Sequence, residues 1–184
     1  MLLQQALSSA GDHGAVNTTH RQVINVDDYV NSTKTIRCAL GMTYTSIWPH
    51  AGHLEEIYQK LNNKHPHLKV YLKQDIPEKF HIKNSNRTAP LVLLPDPGWV
   101  VVAKVQPVPY LKGEFCRGEH GYTNFCRDMN PGFVAYGPVF KKGAHKEWIE
   151  TVDLYPLICH ILGIKPEKHD GQLERVKEFL KDET

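Results

Sequence analysis

Apolar and polar positions alternate along the chain with periods that change several times, and the changes define the elements. Leu54, Ile57, Tyr58 and Leu61 recur at i, i+3, i+4 and i+7, which predicts an amphipathic helix ending near Asn62-Asn63 and Pro66. Ile36 to Trp48 is rich in β-branched and aromatic residues and predicts a strand pair, and Leu68 to Leu72 alternates as a strand does. Gln22 to Val30 reads as a short strand followed by a turn. Two apolar runs between Ala89 and Ala103 flank Pro95-Asp96-Pro97-Gly98, which predicts a hairpin. Residues 105–132, rich in Pro, Gly and Cys, predict a long loop of the kind that often carries function. A strand is expected over Gly132–Phe140, and a helix capped by Thr151 and stopped by Gly163. A charged helix over Gln172–Lys181 is expected to close the chain, and residues 1–10 read as a weak helix. Strands alternating with helices give the class α/β, with a central sheet flanked by helices and a strand-rich insertion over roughly residues 38–110.

The 184 residues suffice for one domain with a real core. A net charge of +2, on basic residues that are scattered, gives no reason to expect a nucleic-acid polymer or an anionic membrane surface as partner. No window approaches the roughly 18 apolar residues of a membrane span. Three sequons, at Asn17, Asn31 and Asn86, and an even number of cysteines favour a secreted or lumenal protein. The first residues show neither a basic segment nor an apolar stretch of signal-peptide length, so the expectation is a lumenal sequence whose start lies elsewhere.

The chemistry rests on histidines, of which there are 11. Asp12 and His13 lie between Gly11 and Gly14, where a flexible turn can point carboxylate and imidazole at one cation such as zinc. The bland alternative is a turn with a polar pair. His120 lies in a second glycine-bracketed loop, Gly118-Glu119-His120-Gly121-Tyr122. Cys116, His120 and Cys126 could share a small structural zinc site, though no fourth ligand is evident and no CxxC pair occurs.

Taken in order, Gly11-Asp12-His13-Gly14, Ile24-Asn25-Val26-Asp27-Asp28-Tyr29, Val70 to Pro77, Glu119-His120-Gly121-Tyr122, Phe133 to Phe140 and Val152 to Gly163 form a pattern. It resembles the ectonucleotide pyrophosphatase/phosphodiesterase family of the alkaline phosphatase superfamily, above all its short members of types 4 and 5. The resemblance covers residues 11–171 and implies an alkaline-phosphatase-like α/β sheet, two zinc ions, and hydrolysis of phosphodiester or pyrophosphate bonds in nucleotides. It further implies that Asp12 and His13 bind the zinc that also contacts a nucleophilic threonine, and that His120 binds the other. The three side chains should then converge on two ions about 4 Å apart. The family's early Asp ligand, its threonine nucleophile and its Asp-x-x-x-His pair have no counterpart here: no histidine has Asp four places before it. The chain is therefore expected to represent the C-terminal part of the catalytic domain and to be inactive alone. Thr123 replaces the usual acidic or amide residue after His-Gly-Tyr, and Ala15 the methionine after Asp-His-Gly.

Two other functions fit the same residues: a phosphodiesterase of choline phosphodiesters or lysophospholipids, and a non-catalytic zinc-binding or interaction protein. Cys116 and Cys126 are the candidate disulfide, enclosing His120, with two reduced thiols as the alternative. Cys159, in an apolar helix, is expected to be a buried free thiol.

Overall fold

The computed structural model describes residues 7–106 and 118–182, and these form two compact units. The larger spans Asp12–Pro131; the smaller joins the segment ending at Gly11 to Gly132 onward.

The smaller unit holds the first strand, β1 (Leu7–Ala10), paired antiparallel with the last, β10 (Phe133–Tyr136). Residues 1–10 were expected to be helical; residues 1–6 lie outside the described residues, and Leu7–Ala10 are strand instead. The run Ser8-Ser9 lacks the straight-chain residues a helix favours, and a partner strand supplies the hydrogen bonds instead. The helix α3 (Leu154–Leu162) buries Leu157 against Phe140, Val176 and Leu180, and Cys159 is buried within it as a free thiol. Gly163 closes α3 as expected, but Thr151 opens a preceding 3-10 turn, Thr151–Asp153, rather than capping the α-helix. Gln172–Lys181 is not a helix. It forms two 3-10 turns, Leu173–Arg175 and Lys177–Phe179. The fully buried Asp153 carboxylate accepts from Gln172 N (2.7 Å) and from the Arg175 guanidinium (2.8 Å), and Leu180 bridges Phe140. A helix this short is marginal without packing, and these tertiary bonds outweigh its propensity.

In the larger unit, β2 (Val16–Asn17) pairs antiparallel with β9 (Gly118–Glu119), and β3 (Val23–Asn25) runs parallel to β8 (Val100–Val102). The strands β4 (Ile36–Leu40), β5 (Thr45–Pro49), β7 (Leu91–Pro95) and β6 (Leu68–Leu72) form an antiparallel sheet in that spatial order. β7 reads as an unbroken apolar run because it is buried on both faces. Leu91 and Leu93 enter the core with Ile24, Val26, Ile47 and Val101. Val92 and Leu94 point the other way, onto Ile76, Tyr71 and Phe80. The helix α2 (Leu54–Leu61) buries Ile57 and Leu61 on the first of these faces, which is the face its periodicity predicts.

The expected hairpin between Leu91 and Val102 does not form. Both strands exist and the Pro-Asp-Pro-Gly turn joins them, but β7 pairs with β5 and β6 while β8 pairs with β3. β8 is fully buried and finds its hydrogen bonds with Val23–Asn25 instead. Asp27 ties this region together. Its carboxylate accepts from Ser32 N (3.1 Å) and Ser32 Oγ at the start of the one-turn helix α1 (Ser32–Thr35), and from Lys104 N at 2.7 Å beyond β8. The fold class is α/β. Among the described residues no helix is long and apolar enough to cross a membrane.

Candidate functional site

His13 and His120 stand 107 positions apart in sequence, and the fold stacks their rings face to face, with centroids 3.6 Å apart and planes 11° from parallel. Both side chains reach solvent. The contact follows from the β2–β9 ladder, which sets Val16 opposite Glu119 and so brings the turn before β2 to the residue after β9. A second tie closes the same loop: Gly14 N donates to Met129 O at 3.0 Å. Only glycine fits there, because a Cβ on residue 14 would lie 1.8 Å from the Asp128 carbonyl oxygen.

The hydrogen bonds of His13 define its chemistry. Nδ1 lies 2.8 Å from Gly14 O, and a carbonyl only accepts, so Nδ1 carries a proton. Nε2 then faces the Asp12 carboxylate, with Oδ2 3.4 Å away, while Oδ1 accepts from His13 N at 3.0 Å. Two donor atoms this close can share one cation. Ligand atoms of a tetrahedral zinc, about 2.0–2.1 Å from the ion, lie roughly 3.3–3.4 Å from one another, so this spacing suits a shared cation. The Nδ1–H to carbonyl bond is the one that orients metal-binding histidines. Asp12, His13 and His120 thus have the right donor chemistry for zinc, but they are a partial set. Among the described residues no three His, Cys, Asp or Glu side chains enclose an ion by themselves.

His120 is held through its backbone. Thr43 Oγ1 donates to His120 O at 2.6 Å, and Tyr122, two residues on, donates its hydroxyl to Trp99 O at 3.0 Å. Burial pushes the Tyr122 phenol up to about 12, so it remains a donor throughout the physiological range. Sequence reasoning missed Thr43 and Trp99. The only signal for Thr43 was its place in the turn between two predicted strands, which says nothing about which loop that turn meets.

Cys126 is a half-buried free thiol, which goes against the expected Cys116–Cys126 bridge; Cys116 itself lies outside the described residues, and with it the alternative Cys116–His120–Cys126 zinc site. Asn17, Asn31 and Asn86 are all exposed, and the Asn31 side-chain carbonyl accepts from the Thr33 hydroxyl of its own sequon at 2.8 Å.

The family model for type I phosphodiesterase / nucleotide pyrophosphatase matches residues 6–123, which include Asp12, His13 and His120. Human bis(5'-adenosyl)-triphosphatase is 35% identical over 172 residues, 94% of this chain and 36% of that protein. The structure of human ectonucleotide pyrophosphatase/phosphodiesterase 5 superposes with a TM-score of 0.88 at 33% identity, covering 96% of this chain and 46% of that one. An inactive variant of the murine protein, solved in complex with AMP, matches equally well, with 96% of this chain and 45% of that one covered. The chain spans about a third of the length of the curated relatives it matches. On the family match and these identities together, the chain belongs to the type I phosphodiesterase / nucleotide pyrophosphatase family, similar to its types 4 and 5.

Proposed function

We propose that this chain contributes Asp12, His13 and His120 to a two-zinc centre that hydrolyses phosphodiester or pyrophosphate bonds of nucleotides. The observation that carries the reading is the meeting of His13 and His120 across 107 positions, with the Asp12 carboxylate at His13 Nε2. Nucleotides are favoured as the substrate class because one relative is a bis(5'-adenosyl)-triphosphatase and another was solved with AMP.

Asp12 and His13 would hold one ion and His120 the other. Zinc, when bound there, lowers the pKa of a nucleophile and neutralises charge on the phosphoryl oxygens. The chain's own residues prepare the donors. Gly14 O fixes the His13 tautomer so that Nε2 presents a lone pair. Gly14 itself keeps the turn against the Asp128 carbonyl. The Thr43 and Tyr122 hydroxyls hold the backbone that carries His120.

No group among these residues is assigned as nucleophile, and no histidine here follows an Asp at the family's spacing. The 184-residue chain is accordingly proposed to bind zinc weakly and to turn over little substrate by itself. That keeps the non-catalytic zinc-binding role as the second reading. The exposed sequon asparagines favour an extracellular or lumenal parent carrying glycans at Asn17, Asn31 and Asn86.

The test is to purify the chain, measure bound zinc after equilibration, and assay hydrolysis of a nitrophenyl nucleotide ester. Zinc that is bound by the native chain and lost when His13 and His120 are replaced supports the centre. Equal zinc content in both would refute it, and robust zinc-dependent hydrolysis by the pure chain would refute its proposed inactivity.

A further inference from the structure

The β2–β9 ladder ends at Glu119, so His120 is the first residue beyond regular pairing. Its ring is nonetheless stacked closely on His13. Two hydroxyls hold the backbone on either side of Gly121. Thr43, 7% exposed, donates to the His120 carbonyl at 2.6 Å. Tyr122, 6% exposed, donates to the Trp99 carbonyl at 3.0 Å. Each partner is itself fixed. The turn bearing Thr43 is tied to β8 by Val101 N to Met42 O (2.8 Å) and internally by Thr45 Oγ1 to Gly41 O (2.9 Å). Trp99 closes its turn through Trp99 N to Asp96 O (3.0 Å), and His67 stacks on its indole. Gly121 between them has φ +91°, and a Cβ there would stand 2.9 Å from Thr43 Oγ1. The close approach of the Thr43 hydroxyl to the His120 backbone therefore requires glycine at 121.

We infer that Thr43 and Tyr122 are positioning residues: their hydroxyls clamp the backbone around His120 and so set its imidazole against that of His13. Neither touches the proposed ions. They act through the His120 carbonyl and the neighbouring peptide, and the loop is held from the β4–β5 turn, 77 residues away in sequence. The effect on zinc rests on the proposed centre; the effect on the imidazole pair does not.

The experiment uses the full chain with Thr43→Val, which keeps shape and loses the donor, Thr43→Ser, which keeps the donor, and Tyr122→Phe, which keeps the ring. One readout is the imidazole proton resonances of His13 and His120, each lying in the other's ring current. The other is zinc affinity by competition with a chelator. We expect Thr43→Val and Tyr122→Phe to move both imidazole signals toward free-histidine positions and to weaken zinc about 10–100-fold, the usual effect of losing a group that orients a ligand. Thr43→Ser should restore both. Imidazole signals that stay at wild-type positions in Thr43→Val and Tyr122→Phe overturn the inference, even if stability falls, because a merely structural hydroxyl would behave that way. If Thr43→Val does not fold, Tyr122→Phe decides by the same signals. If the wild-type chain binds no zinc, the zinc centre fails, and the imidazole signals alone decide the positioning role.

Discussion

Two close histidine pairs stand out among the described residues, and they are built for different ends. His65 and His67 are near neighbours in sequence, joined by His67 N donating to His65 Nδ1 at 3.2 Å. Their faces and edges are spent on Trp99. The His67 ring stacks on the indole at 4.5 Å, and His65 meets it edge-on at 4.9 Å. The carboxylate in that cluster, Asp96, meets His67 at Nδ1 (3.0 Å), where it orients a ring. His13 and His120 come from distant segments. There a backbone carbonyl takes Nδ1, and the carboxylate of Asp12 stands beside Nε2, where it offers a second donor to the same point. Nearness of two imidazoles does not make a metal site. What distinguishes the pairs is which nitrogen the carboxylate faces and whether the ring is packed on an aromatic.

The largest expected consequence separates the pairs directly. His120→Ala removes a proposed ligand and should weaken zinc by more than about 100-fold, beyond the effect of losing a merely orienting group. His67 bears on zinc only through its stacking on Trp99, so His67→Ala should weaken zinc by less than about tenfold. Comparable losses in both, read by chelator competition, would erase the distinction. Gly14→Ala comes next. Its Cβ must displace the Asp128 carbonyl, an overpacking that typically costs about 1–3 kcal/mol, and it should also part the His13 and His120 rings. A urea midpoint equal to wild type would show that the 118–130 loop gives way freely and does not fix His13.

The same contrast explains what could be read from sequence. The periodicity of Leu54–Leu61 and the alternation of Leu68–Leu72 report burial one turn or one strand at a time, and both elements are found where they were read. The partner of β8 is a strand more than 70 residues earlier, and no local pattern encodes that choice, so the Pro-Asp-Pro-Gly turn suggested a hairpin that is absent. The charged run from Gln172 is diverted from helix by a single buried carboxylate, Asp153, whose role is equally non-local. In the candidate site, Asp12, His13 and His120 were legible because family motifs carry them. Thr43 was not, since a threonine in a turn looks the same whether it faces water or the carbonyl of a distant histidine.

The smallest effect concerns the packed pair. Burial is the main reason the His65 pKa lies below its ordinary value, with repulsion from His67 second and the opposing attraction of Asp96 third. A depressed value means that the unfolded chain binds the proton more readily than the folded one. The neutral ring's contribution to stability is therefore complete above about pH 6.5, the ordinary histidine value, and is lost as the pH falls through the lower, folded value. An NMR titration of His65 should give a midpoint below that of a free histidine. In His67→Gln the midpoint should rise only part of the way, because removing the neighbouring charge leaves the burial in place. Asp96→Asn should lower it further. Full recovery of the ordinary midpoint in His67→Gln would mean that the two rings sense each other chiefly through charge. The packing of this pair on Trp99 would then be the lesser part of its design, and the contrast with His13 and His120 would weaken accordingly.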